Sequence, residues 1–305
     1  MPLFRRYALA HPNARSSHRA PTPQGAGLAV VTATVAVSAA VIFWRGPSLE
    51  VWTVFLATIL IAVVGAVDDM RSIGVVPRLA LQAVAVLIVI AALPDALRVA
   101  PALPFFAERA LMAVALLWFV NLANFMDGID WMTVAEIVPV SAALVIAGVM
   151  GAVPGEQATV ALVLCGAIVG FAPFNKPVAR IFLGDVGSLP IGLLTGWLLI
   201  ALAGNGHIAA ALLLPLYYLA DATITLLRRL AAKEKITQAH RSHFYQRALD
   251  GGLGVIEIVA RVFLLNVALA VLALATLANP APAMQIGALA VGCILTAAQL
   301  RRFSR

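Results

Sequence analysis

Charge is what this sequence has least of: Asp, Glu, Lys and Arg make up 11% of its 305 residues, against about 25% in a soluble domain. With 62% hydrophobic residues and a mean hydropathy of +0.98, an ordinary soluble fold is excluded. Cysteine is nearly missing too. Only Cys165 and Cys293 occur, both inside apolar runs, which argues against a disulfide framework and a sulfur-ligated metal. The first 24 residues are basic and polar and lack the apolar core of a cleavable signal peptide. Neither an internal repeat nor a soluble domain is visible.

What remains is apolar runs, at about 25–44, 51–67, 79–93, 109–122, 134–151, 158–174, 188–204, 208–227, 256–277 and 284–300. A bilayer is crossed by roughly 20 apolar residues in a helix. The expected fold is therefore all-α, a polytopic integral membrane protein of about ten transmembrane helices forming one domain over 1–305. Its net charge of +7 would suggest nucleic acid in a soluble protein. Here the basic residues instead obey the positive-inside rule, so no nucleic acid is expected and the lipid bilayer is the partner. With both termini cytoplasmic, the inside segments carry most of the arginine and lysine, from Arg5 to Arg305. The outside segments keep Arg45, Arg98 and Arg109.

That orientation brings every notable polar cluster to the cytoplasmic side: VDDMRS at 67–72, NLANFMDGID at 121–130, NKPVARIFLGDVGS at 175–188, and the loop 228–252. Asp68 and Asp69 are adjacent at a helix end and repel unless a cation or proton lies between them. A solvated helix terminus is the plain alternative. Asp127 and Asp130 would share a helical face with Asn124 nearby. Asp185 lies in GDVGS, where glycines let the backbone approach a ligand. These are hard oxygen donors, suited to Mg²⁺, with Mn²⁺ as its substitute, rather than to zinc. Arg71, Lys176, Arg180, Arg228, Arg229 and Arg241 could hold phosphate oxygens. His240 and His243 are too few for a zinc site; binding or protonating a phosphate suits them better, with a functionless basic loop as the alternative. Asp221 falls about two turns inside a helix, either functional or paired with Arg228 or Arg229. His11, His18 and His207 are given no catalytic role.

The motifs VDDMRS, NLANFMDGIDWM, FNKPVARIFLGDVGS and AHRSHFYQR, in that order, resemble the polyprenyl-phosphate N-acetylhexosamine-1-phosphate transferases. These form glycosyltransferase family 4, which also includes the phospho-MurNAc-pentapeptide translocase. HPNARSSHRAPTPQGAG at 11–27 is similar to a loop of the O-antigen and lipid-carrier branch. The resemblance implies a bacterial cytoplasmic (inner) membrane enzyme with cytoplasmic active-site loops. Undecaprenyl phosphate would attack a UDP-N-acetylhexosamine, releasing UMP and initiating O-antigen or other cell-surface polysaccharide assembly. It implies Asn124 and Asp185 as metal positions, and Asp68, Asp69, Asp127 and Asp130 as catalytic acids. Arg180, His240, Arg241 and His243 would bind substrate, with Asn121 supporting Asn124. A homodimer is compatible with it.

Three departures stand out. The family helix expected before the 11–27 loop is missing, for which a start codon placed too far downstream is the plain expectation and a ten-helix variant the alternative. Trp131 stands where the DGxDG pattern has glycine, which predicts altered sugar choice. Gln24 and Ala26 replace a common arginine and glycine. Two other readings compete: a secondary transporter, disfavoured because the acids sit at one face rather than mid-bilayer, and an inactive relative acting as a scaffold. The loop lacks the histidine-rich stretch of the MurNAc-pentapeptide enzymes.

Overall fold

The computed structural model describes residues 9–10, 22–44, 46, 48–235 and 240–305. The basic loop expected around 11–21 therefore lies outside the described residues. A two-stranded antiparallel sheet pairs β1 (Leu9–Ala10) with β2 (Thr22–Pro23). Helices follow: α1 Ala26–Phe43, α2 Leu49–Met70, α3 Val75–Ala92, α4 Phe105–Met126, α5 Met132–Val149 and α6 Gly155–Phe171. The remainder are α7 Asp185–Gly204, α8 Ile208–Leu213, α9 Leu216–Ala231, α10 Phe244–Asp250, α11 Val255–Ala278 and α12 Pro282–Phe303.

Each of the ten apolar runs is helical, but they are not equal. Eight are long and apolar enough to cross a membrane, and α6, at 17 residues, is just shorter. The run 208–227 is broken into α8 and α9 at Pro215, the residue preceding α9. Proline has no N–H to give and its ring displaces the preceding turn. The expected ten are thus eight long helices, one short one and one broken pair.

The bundle is organised around α7, which is buried along nearly its whole length and packs against α2 and α4. Glycine allows the closest approaches. A Cβ on Gly27 of α1 would lie 2.2 Å from the Cα of Gly187, and one on Gly65 of α2 would lie 2.3 Å from the carbonyl oxygen of Asp185. Two helices therefore meet the first turn of α7 backbone to backbone, much as small residues let membrane helices approach. That first turn begins at Asp185.

Candidate active site

The C-terminal end of α2 and the N-terminal end of α7 are joined by the aspartate pair. Asp69 accepts hydrogen bonds from the backbone N–H groups of Asp185 (2.9 Å) and Val186 (3.1 Å). It caps α7 from another helix, meeting the otherwise unpaired amides and the positive end of the helix dipole. Gly184 has φ +77°, and a Cβ there would be 2.5 Å from Asp69 Oδ2, which accounts for the glycine before Asp185. Gln24 donates to the carbonyl of Asp69 at 3.0 Å. Asp68 accepts from the Ile73 amide at 2.6 Å and pairs with Arg78 at 2.9 Å, and its carboxyl also faces the side chain of Asp185. The Arg78 guanidinium also lies 3.5 Å from Asp185 Oδ2. The two adjacent acids thus have different surroundings.

On the opposite wall, Asn124 in the last turn of α4 donates to Asp185 Oδ1 (2.7 Å) and to Ser188 Oγ (2.9 Å). Asp127 follows the helix end and accepts from the Thr133 hydroxyl. Burial, aided by the charges of Asp185, Asp69 and Asp130 and opposed by the Thr133 bond, pushes its carboxyl up to about 7. Asp130 is buried and accepts from the Ala179 amide at 3.0 Å, fixing the loop that leads into Asp185. Asn121 directs its hydrogen bonds elsewhere than Asn124: it donates to Gln82 of α3 and to the Leu117 carbonyl, each at 2.8 Å. It ties two helices together beneath the site. Arg180 is exposed on the 172–184 loop.

The third wall is the 240–250 segment. Asp221, fully buried in α9, accepts from the amides of Phe244 (3.1 Å) and Tyr245 (3.3 Å), and His243 Nδ1 lies 3.2 Å away. It therefore anchors α10 and orients His243. Neither arginine pairs with it: Arg229 binds Glu234, and Arg228 lies over the Phe244 ring. The His240 ring lies 4.9 Å from that of His243, and Arg241 pairs with Asp250 at 2.8 Å. Tyr245 donates to the Phe125 carbonyl at 3.0 Å, docking α10 onto the turn between Asn124 and Asp127. Burial pushes its phenol above the usual range, so it acts as a neutral donor. A Cβ on Gly128 would fall 2.0 Å from the Tyr245 hydroxyl oxygen, so MDGID needs its glycine for this contact.

Trp131 has φ +64°, in the left-handed region. Glycine adopts it freely; a bulky side chain does so at a cost. Its indole is tied to the Ala172 carbonyl at 2.7 Å, and its amide donates to Asn175 at 2.8 Å.

Asp68, Asp69, Asp127 and Asp185 thus converge, with Arg78 and Asn124 against them. Arg78, Ser188 and Tyr245 are participants that motif reading passes over. The signal for Arg78 was its place ten residues after Asp68, at the start of the next helix. No group of three or more His, Cys, Asp or Glu side chains among the described residues is arranged to hold a metal by itself. The hard oxygens of Asn124 and Asp185 suit Mg²⁺, which takes few protein ligands and completes its shell with water and substrate phosphate.

The family model for glycosyl transferase family 4 matches residues 51–203, which carry these acids and amides. The chain belongs to glycosyl transferase family 4. This family 4 chain is 28% identical to a phospho-N-acetylmuramoyl-pentapeptide-transferase of Ruegeria pomeroyi, over 85% of the chain and 81% of the relative. It is 28% identical to a probable undecaprenyl-phosphate N-acetylglucosaminyl 1-phosphate transferase of Bacillus subtilis, covering 81% and 71%. It is also 28% identical to the decaprenyl-phosphate N-acetylglucosaminephosphotransferase of Mycolicibacterium smegmatis, covering 80% and 69%.

Proposed function

We propose that this multi-pass membrane protein transfers an N-acetylhexosamine 1-phosphate from a UDP-sugar to undecaprenyl phosphate. UMP leaves, and an undecaprenyl-diphosphate sugar begins a cell-surface polysaccharide such as O-antigen. The observation that carries the reading is the Asn124–Asp185 contact of 2.7 Å beside Asp68, Asp69 and Asp127. So many carboxylates at one helix start call for a cation. Asn124 and Asp185 would hold Mg²⁺, which, when bound, neutralises the diphosphate and favours attack at phosphorus.

The protein's own groups then divide the work. Asp69 holds the first turn of α7, and so Asp185, in place. Asp68 has no such duty to a helix end. Its partner Arg78 is suited to take the lipid phosphate, and this supports Asp68 rather than Asp69 as the group that would activate that acceptor. Asp127, near neutral in its acidity, is suited to hold or release a proton as the diphosphate enters. His240, Arg241 and His243, docked through Asp221 and Tyr245, would bind the nucleotide sugar, with Arg180 on the facing loop. Asp130 sets that loop's position. The site then faces the cytoplasm, where UDP-sugars are held, and the enzyme lies in the bacterial inner membrane.

The test is UMP release by purified protein in detergent, given undecaprenyl phosphate, Mg²⁺ and a panel of UDP-N-acetylhexosamines, with Asp185→Ala as control. Metal-dependent release with one sugar, lost in the control, is the expected result. Release by neither protein with any sugar, while Mg²⁺ still binds, would favour the scaffold reading.

A further inference from the structure

The helix that carries Arg78 is the one that packing holds least. Of α2, α3, α4 and α7, whose ends meet around Asp185, α3 has the smallest share of its length buried. Most of its surface is left to lipid, which is as apolar as the side chains it meets and so fixes neither depth nor rotation. Arg78 nevertheless meets a fixed point. Its guanidinium lies 3.5 Å from Asp185 Oδ2, while Asn124 of α4 holds Oδ1 at 2.7 Å. The Asp185 carboxylate is thus bracketed by α3 on one side and by α4 on the other.

One turn deeper, the same two helices are joined again. Gln82 follows Arg78 by four residues and Asn121 precedes Asn124 by three, so each shares a helix face with the residue it supports. Asn121 Nδ2 donates to Gln82 Oε1 and to the Leu117 carbonyl, both at 2.8 Å. That carbonyl can only accept, so the Asn121 amide has one orientation and Gln82 turns its oxygen to it. Gln82 Nε2 is left without a partner among the described residues, in a side chain that is wholly buried. A neutral hydrogen bond returns no more than one buried, unpaired donor takes away. The pair therefore adds no stability that two apolar side chains would not. What it supplies is direction.

We propose that the Gln82–Asn121 hydrogen bond pins α3 against α4 and so sets Arg78 opposite Asn124 across Asp185. Gln82 is a positioning residue: it touches no substrate and acts through Arg78. Without the pin, α3 is free to slide or turn in the lipid, and a small misplacement of a group that holds a reactant costs much of its effect. Only the kinetic arm of the test rests on the transferase reading.

Two double variants test it. Gln82→Met/Asn121→Leu removes both amides and leaves no buried donor unpaired, and Gln82→Asn/Asn121→Gln restores the bond with its ends exchanged. The first arm measures the α3-to-α4 distance by dipolar electron paramagnetic resonance, with Cys165 and Cys293 replaced and spin labels at Val76→Cys and Val114→Cys, both exposed positions. The apolar pair should melt no lower than wild type yet show a shifted or broadened distance, and the exchanged pair should return it. An unchanged distance in the apolar pair overturns the proposal, whether or not the protein releases UMP. The second arm is UMP release. In the apolar pair the KM for undecaprenyl phosphate should rise about tenfold or more, the worth of one charged hydrogen bond. The KM for the UDP-sugar should hold, and the exchanged pair should recover the first. A shifted distance with an unmoved acceptor KM would reduce the pair to packing and overturn Gln82 as a positioning residue. Should the apolar pair fail to fold, Gln82→Asn alone, too short to reach Asn121, takes its place with the same results expected.

Discussion

Asp221→Ala offers a direct test of how the histidine segment is held. The carboxylate accepts from Phe244 N, Tyr245 N, the Tyr217 hydroxyl and the Thr225 hydroxyl, and faces His243. Alanine strands two buried backbone donors at about 1–3 kcal/mol each, so about 4 kcal/mol, the middle of about 2–6, is lost from them. Both donors belong to α10, and undocking that helix into water satisfies them. The loss from the backbone donors therefore falls on docking, while the Tyr217 and Thr225 hydroxyls lose an acceptor within α9 itself. At 1.4 kcal/mol per decade, even 3 kcal/mol lowers the docked population by about a hundredfold. Asp221→Asn keeps one acceptor oxygen and should cost about 1–2 kcal/mol. UMP release against UDP-sugar concentration should show a raised KM. The Mg²⁺ requirement should hold, since Asn124 and Asp185 lie on α4 and α7. Limited trypsin digestion should cut faster at Arg241 and Arg247. Unchanged KM together with unchanged cleavage would refute the anchoring argument, as would a loss of Mg²⁺ affinity matching the rise in KM.

Gly128→Ala drives a methyl to 2.0 Å from the Tyr245 hydroxyl oxygen. Activity should fall at least tenfold, on the order of the 1–3 kcal/mol of overpacking, and a Gly128→Ala/Tyr245→Phe double variant should recover part of it in the UMP assay. Trp131→Gly removes a left-handed bulky residue worth about 1–2 kcal/mol of strain but forfeits the indole bond to Ala172. The thermal midpoint should change little, while relative rates across UDP-sugars shift; an unchanged ranking removes Trp131 from sugar choice. Asp127, pushed up to about 7 in the folded chain, binds a proton that the unfolded chain has released above about 4. Its contribution to stability therefore falls as pH rises from about 4 to 7. Metal-free protein should melt lower at pH 8 than at pH 5.5, Mg²⁺ should recover the loss, and Asp127→Asn should flatten the slope.

Much of the architecture could be read from hydropathy, because crossing a bilayer forces each helix to be an apolar run. The exception, 208–227, failed for a local reason: Pro215 interrupts a run whose composition gives no other warning. The site was legible as residue types but not as partnerships. Asp68 and Asp69 read as an equivalent pair, and only the approach of α7 shows that one caps a helix while the other meets Arg78. Asp221 reads as either functional or paired with nearby arginines, because spacing along one helix is visible and a helix 23 residues onward is not. The shared motif sets Asn121 in support of Asn124, whereas its side chain reaches α3. Trp131 looked like a change to the pocket; its positive φ shows that it is first a change to the backbone.

The two ends of the site are attached to the bundle by different means, and this governs how such a protein can change. Gly27 and Gly65 press the start of α7 between two backbones, leaving no side chain there to exchange. The histidine segment hangs from Asp221 and Tyr245 by hydrogen bonds that any chain with a suitable helix start could reproduce. Residues 240–250 are thus a replaceable module on a fixed seat, and, under the proposed function, grafting the equivalent stretch of a relative should change nucleotide-sugar preference while the proposed metal-holding pair Asn124 and Asp185 stays as it is.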